Sequence, residues 1–243
     1  MAADLWALGR YFLALWMLLG ASRLDLASRR VPNPYWFPYV LFAVLAVGWD
    51  VLDTEWSRLT ALYVPAVVFA GLFYLFWRFG LFGGADAKGL MLLSFLAPSP
   101  PLGPDPGLAN APVVPPTVFA AVVDGYLALL LLPIGLAVWN LARNRAVFPA
   151  AFIGYTLPLE VARERHVWPM QVVAEDGRLR WRYWQRIGGG ALDEEYDRLA
   201  AVGLREVWVT PKLPALVPIT AGWILAGVFG NVVLRFVLHA AGA

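Results

Sequence analysis

Two aspartates stand out in an otherwise apolar chain: Asp25, in "RLDLASRRVPN", and Asp86, in "GLFGGADAKGL". A carboxylate in or beside a membrane helix is costly unless it is paired or used. Two of them held together in a partly dry site share a proton. One can then accept a proton from water while the other donates to a carbonyl oxygen. That is aspartic-peptidase chemistry, and the two groups would titrate as one coupled pair. Other hydrolytic chemistries lack their parts. The chain has no cysteine, which removes thiolate nucleophiles, disulfides and thiolate metal sites, and it has no His-Glu-x-x-His run. Ser22 has no histidine partner in the apolar segments, because His166 falls in a polar stretch and His239 near the C-terminal end. Neither a metal nor a cofactor is expected.

The elements that carry these acids read as membrane helices. Hydrophobic residues make up 60% of the 243 and charged residues only 15%, where a soluble domain carries about 25% charged. Apolar windows fall near 6–24, 36–52, 60–79, 84–97, 117–140 and 214–238, each approaching the ~20 residues that span a bilayer. The fourth is short but extends through the glycine pair before it. The first charge is Asp4 and the basic residues mostly follow the first window, so a retained helix is expected rather than a signal peptide. The first, third and fifth joints hold sixteen of the nineteen Lys and Arg. By the positive-inside rule these joints face the cytoplasm, with both termini outside. The expected fold is an all-α polytopic membrane protein with six transmembrane helices and a small α+β cytoplasmic insert before the last. Its expected division is 1–162, 163–213 and 214–243.

This topology puts Asp25 at the cytoplasmic end of the first helix and Asp86 at the cytoplasmic start of the fourth. Gly83 and Gly84 would let a neighbouring helix approach closely and permit backbone angles closed to other residues. Asp86 then lies in a first turn, where the helix dipole favours a negative charge. Each acid also has a plain structural explanation: Asp25 paired with Arg29, and Asp86 beside Lys88 or Arg78. Their shared side and the glycine pair favour a dyad. Arg10 and Arg235, toward outer helix ends, are expected to snorkel to headgroups. Asp124, about two turns into the fifth helix from outside, is expected to make a helix–helix hydrogen bond away from the pair.

The proline-rich joint "APSPPLGPDPGLANAPVVPP" reads as an external loop, and residues 146–160 as an inner interfacial segment. In the insert, "WPMQVVAEDGRLRWRYW" predicts a hairpin around Asp-Gly. Leu179, Trp181 and Tyr183 alternate in it with Arg178, Arg180 and Arg182. That basic stripe suits solvent or anionic lipid headgroups better than nucleic acid. "LDEEYDRLAAVG" predicts a helix stopped by Gly203, and "LREVWVT" a further strand.

At these residues the chain resembles the type IV prepilin peptidases, and within them the archaeal branch that processes preflagellins (archaellins) and pilins. "DLASRRVPN" is similar to the family's aspartate followed by a hydrophobic-Pro-Asn turn, here with Pro32 and Asn33. "GGADAK" is similar to G-x-G-D-x-K, with Gly83, Gly84, Asp86 and Lys88. Ala85 departs from the glycine that usually precedes the second aspartate. "VWVTPKLPALVPI" resembles the approach to the last helix of archaeal members. The resemblance covers most of the chain and implies an aspartic endopeptidase with Asp25 and Asp86 as its dyad. The implied partners are the bilayer and precursors with a short basic leader before a long hydrophobic helix, cut at the cytoplasmic face. The absence of cysteine argues against the methylation many bacterial members also perform. Two other readings stay open. One is a presenilin-like or signal-peptide-peptidase-like protease cutting within a spanning helix, echoed by "PAL" at 214–216. The other is an ion-coupled carrier relaying protons over Asp25, Asp86 and Asp124. Oligomeric state is not legible.

Overall fold

The computed structural model describes residues 2–99, 116–145, 147–183 and 192–230, with Phe236 and Ala240. Most of the proline-rich joint, Arg235 and His239 lie outside them. The chain forms two compact units, residues 1–129 with 214–243, and residues 130–213.

The first unit is helical. It contains α1 (Ala2–Ser28), a 3-10 turn (Asn33–Trp36), α2 (Phe37–Asp53), α3 (Trp56–Arg78), α4 (Gly84–Leu96) and α5 (Thr117–Leu129), closed by α10 (Leu216–Phe229). Prolines set several starts: Pro32 is the cap before the 3-10 turn, and both that turn and α2 carry a proline in their first two positions. α3 stops where Gly80 takes φ +73°, with Leu81 N–H returning to the Phe76 carbonyl.

Among the described residues four stretches are long and apolar enough to cross a membrane: Leu5–Ser28, Asn33–Asp53, Trp56–Arg78 and Thr117–Ala142. The expected count of six is thus met by four on length and composition. α4 has 13 residues and α10 has 14. At ~1.5 Å per residue each rises about 20 Å, short of a ~30 Å hydrocarbon core. The exterior is apolar to match. Trp16 is 72% exposed, Trp56 76% and Leu52 87%, which water would penalise and lipid does not.

The core joins Met17, Leu18, Trp36, Leu93, Ile219 and Trp223. Small residues set its tightest crossing. A Cβ on Gly222 would strike the Ala121 carbonyl, and one on Gly125 the Pro218 carbonyl, so α5 and α10 touch backbone to backbone. α10 also holds α1: Tyr11 donates to the Trp223 carbonyl at 2.7 Å and stacks on its ring at 5.2 Å, and the Ser22 and Thr220 hydroxyls meet at 2.8 Å. Ser22 is therefore engaged in helix packing.

Arg10 does not snorkel. It is 4% exposed and pairs with Asp50, itself 7% exposed, at 2.5 Å. α2 continues to Asp53, and Asp50 is a helix residue turned inward. With a carboxylate and backbone carbonyls available inside, the guanidinium has no need of headgroups.

The second unit is mixed. α6 (Leu131–Ala142), α7 (Ala150–Ile153), β1 (Tyr155–Pro158) and α8 (Leu159–Glu164) come first. They are followed by β2 (Val167–Pro169), β3 (Gln171–Val173), β4 (Leu179–Trp181), α9 (Leu192–Ala201) and β5 (Glu206–Pro211). β5 runs centrally between β1 and β2, antiparallel to both, with Thr156 opposite Trp208 and Trp168 opposite Thr210. The sheet therefore draws on residues ahead of 163. The expected hairpin is β3 and β4, turning at Gly177 (φ +73°). Its first run breaks at Met170, and β2 joins the other sheet. Two of the three stripe arginines are paired: Arg180 with Asp176, and Arg182 in a two-bond fork with Glu195. Leu159, Ala162, Leu199, Val207 and Val209 form a small core with Tyr196. Burial pushes the Tyr196 hydroxyl up to about 12.

Candidate active site

The site is assembled from the ends of two helices and the turn between α1 and α2. Asp25 lies one turn before the end of α1, half-buried. Past it the chain leaves the helix abruptly. Ser28 caps with its hydroxyl on the Leu24 and Arg30 carbonyls, Arg29 takes φ +56°, and Pro32 delivers Asn33 into the 3-10 turn. Arg29 acts on Asp25 through space.

Asp86 is the third residue of α4 after the cap residue Gly83. Its carboxylate folds back and accepts a hydrogen bond from the Gly83 backbone N–H, satisfying one of the orphan donors of a helix start. A methyl group on Gly83 would sit 2.8 Å from Asp86 Oδ2. The role expected for the glycine pair is thus shifted. Gly83 makes room for the aspartate's own carboxylate, and Gly84 faces the Trp77 indole with 3.5 Å to spare. The close helix approach falls instead at Gly125 and Gly222. Ala85 puts its methyl against the core, which accounts for a side chain at that position.

The two aspartates are near enough for the charge of Asp25 to act on Asp86. The two motifs are also joined directly. Lys88 Nζ donates to Asn33 Oδ1 at 2.6 Å across 55 residues of sequence. Lys88, expected as a motif residue and as a charge beside Asp86, thus serves the turn after α1. One residue on, Gly89 lets the buried Trp36 ring approach to 3.6 Å of where its Cβ would be. From the Lys88–Asn33 bridge an open groove of about 500 Å³ runs between the two helices. One wall is Trp36, Phe37 and Val40, the other Met91, Leu92 and Phe95.

A third element enters without having been expected. Tyr126 of α5 interacts electrostatically with Asp86. Asp124 is buried, two residues before it. The fifth helix therefore reaches toward Asp86 through Tyr126. An aromatic residue in an apolar run carries no signal of its own, so the sequence offered no cue to Tyr126.

Comparison with known proteins identifies the family. A profile described as the type IV leader peptidase family matches residues 12–134, and one described as the archaeal Peptidase A24 C-terminus, type II, matches residues 146–232. The chain is 25% identical to a preflagellin peptidase of Methanococcus maripaludis and 27% identical to one of Methanococcus voltae. Each alignment covers 94% of this chain and 98% of the relative. The first profile spans both aspartate motifs and the second the sheet and α10, so the two units carry one family's pattern between them. With apolar helices that need a bilayer and a peptidase profile over half its length, this chain is a membrane-bound aspartic peptidase and belongs to the type IV leader peptidase family.

Proposed function

We propose that Asp25 and Asp86 are the catalytic pair of an endopeptidase that removes the short basic leader from precursors of the archaellin and type IV pilin kind. The observation that carries this reading is the Lys88–Asn33 hydrogen bond, which joins the motif of the acid on α1 to that of the acid on α4. The names of the Methanococcus relatives support the substrate class. In the reaction the ionised carboxylate takes a proton from water, whose oxygen attacks the scissile carbonyl carbon. The protonated partner gives its proton to the carbonyl oxygen. Collapse of the tetrahedral diol breaks the C–N bond: the first carboxyl passes the water's proton to the leaving nitrogen, and one diol hydroxyl returns its proton to the partner carboxylate.

α4 and α10 complete six spans in this reading, with both termini outside and the acids at the cytoplasmic face. A precursor's leader then stays in the cytoplasm while its hydrophobic helix lies along the groove between α2 and α4. Asp25→Asn and Asp86→Asn should each lower cleavage by roughly 10³-fold or more, read as a missing mass shift in membranes mixed with a precursor. Full processing by either well-expressed variant would sink the assignment. The same mass places the cut, at the edge of the hydrophobic helix here and within it for a presenilin-like enzyme.

A further inference from the structure

We propose that Arg10 is a positioning residue of the peptidase: it pins the register of α1 against α4 and so brings Asp25 and Asp86 to one depth. This rests on the reading of those two acids as the catalytic pair.

The guanidinium makes four hydrogen bonds to groups from three other helices. Nε donates to the Leu96 carbonyl at 2.6 Å and one Nη to the Phe95 carbonyl at 2.7 Å. These are among the last carbonyls of α4, which no later turn of that helix can satisfy. The other Nη meets Asp50 of α2 at 2.5 Å, and Tyr63 of α3 accepts at 3.2 Å. Asp50 is filled in turn by the Tyr63 hydroxyl at 2.5 Å and the Trp6 indole at 3.2 Å. A lysine could not reproduce this, because only the planar fork presents donors in several fixed directions.

The consequence lies at the far end of the same two helices. α1 and α4 are linked at one end by Arg10 and Leu96, and they bring Asp25 toward Asp86 at the other. Asp25 follows Arg10 by fifteen residues and Asp86 precedes Leu96 by ten. At ~1.5 Å per residue these arms are about 22 and 15 Å. The link therefore fixes the register of α1 against α4 at one end of both arms. A slip of α4 by one turn, about 5.4 Å, would separate the two carboxylates. α4 is short, its buried residues are mostly leucine and alanine, and its polar tie to the turn after α1, Lys88 to Asn33, is exposed, whereas the Arg10 bonds are buried or part-buried.

The chain's lack of cysteine makes the register readable. Asp25→Cys/Asp86→Cys would be treated in membranes with a short bifunctional thiol reagent, with Arg10 present and in an Arg10→Met/Asp50→Leu background. Replacing both members of a buried pair by apolar residues of similar volume usually preserves folding. With Arg10 present the pair should couple. In the double background coupling should fall by at least about fivefold, while Asp25→Cys begins to couple with Leu90→Cys, one turn along. Arg10→Met/Asp50→Leu with both aspartates intact should lose about tenfold or more in kcat with KM within about twofold. A merely structural role would lower the amount of folded protein and leave crosslinking and kcat per folded molecule unchanged. That result would overturn the proposal, as would failure of the thiol pair to couple when Arg10 is present. The crosslink does not depend on cleavage, so an inactive chain with intact register would count against the catalytic assignment alone.

Discussion

Gly83 has no room for a methyl group, because the carboxylate it would displace is that of Asp86. Gly83→Ala should therefore cost about 10²-fold in kcat/KM through a carboxylate moved by a fraction of its working distance. Gly84→Ala, with 3.5 Å to the Trp77 indole, should stay within about threefold of the unmodified enzyme. A precursor-cleavage assay on the two variants separates the glycines that look alike in sequence. The Lys88–Asn33 hydrogen bond makes a second residue-scale prediction. Lys88→Met and Asn33→Leu should each reduce kcat/KM, and the double variant should lose little beyond the worse single. A coupling of about 1–3 kcal/mol in that cycle would mark a shared role, and strict additivity would refute it.

Among the elements, the crossing of α5 and α10 is the least forgiving. Gly222→Ala drives a methyl into the Ala121 carbonyl and the Gly125 backbone, and should destabilise by about 1–3 kcal/mol. Gly9→Ala meets nothing within 4 Å and serves as its control in a thermal melt. In the sheet-bearing unit, the Tyr196 hydroxyl is buried with no hydrogen-bond partner among the described residues. Its raised ionisation has a sign. An unfolded tyrosine ionises near 10, so this group's contribution to stability is whole below that pH and is lost as pH rises toward 12. Tyr196→Phe should flatten that loss and be neutral or stabilising by up to about 1 kcal/mol at neutral pH. Tryptophan fluorescence against pH would check it, and a steeper loss in the variant would contradict the account.

For the whole molecule, what could be read from the chain was what repeats or concentrates. Long apolar windows foretold α1, α2, α3 and the span through α5, and the Asp-Gly turn and Gly203 foretold the hairpin and the end of α9. Asp25 and Asp86 were legible because a charge in an apolar run is conspicuous. What was not legible depends on side chains meeting across distance. Arg10 looked like a headgroup anchor because its acceptors are carbonyls of a helix 86 residues away. Asp50, at the end of the second apolar window, gave no sign of its role because its partner Arg10 lies 40 residues away on another helix. Lys88 and Asn33 were matched only by resemblance, and the reason for both is one hydrogen bond.

The bonds between α1 and α10 also impose an order on how the protein is made. Ser22 meets Thr220 across 198 residues and Tyr11 meets Trp223 across 212. A ribosome adding ~5–20 residues per second needs on the order of 10–40 s between the two. For that interval the Tyr11 and Ser22 hydroxyls wait for α10, while Arg10 on the same helix meets its own partners in α2, α3 and α4 much sooner. The first helix made is thus held on one face early and on the other only after α10 has emerged.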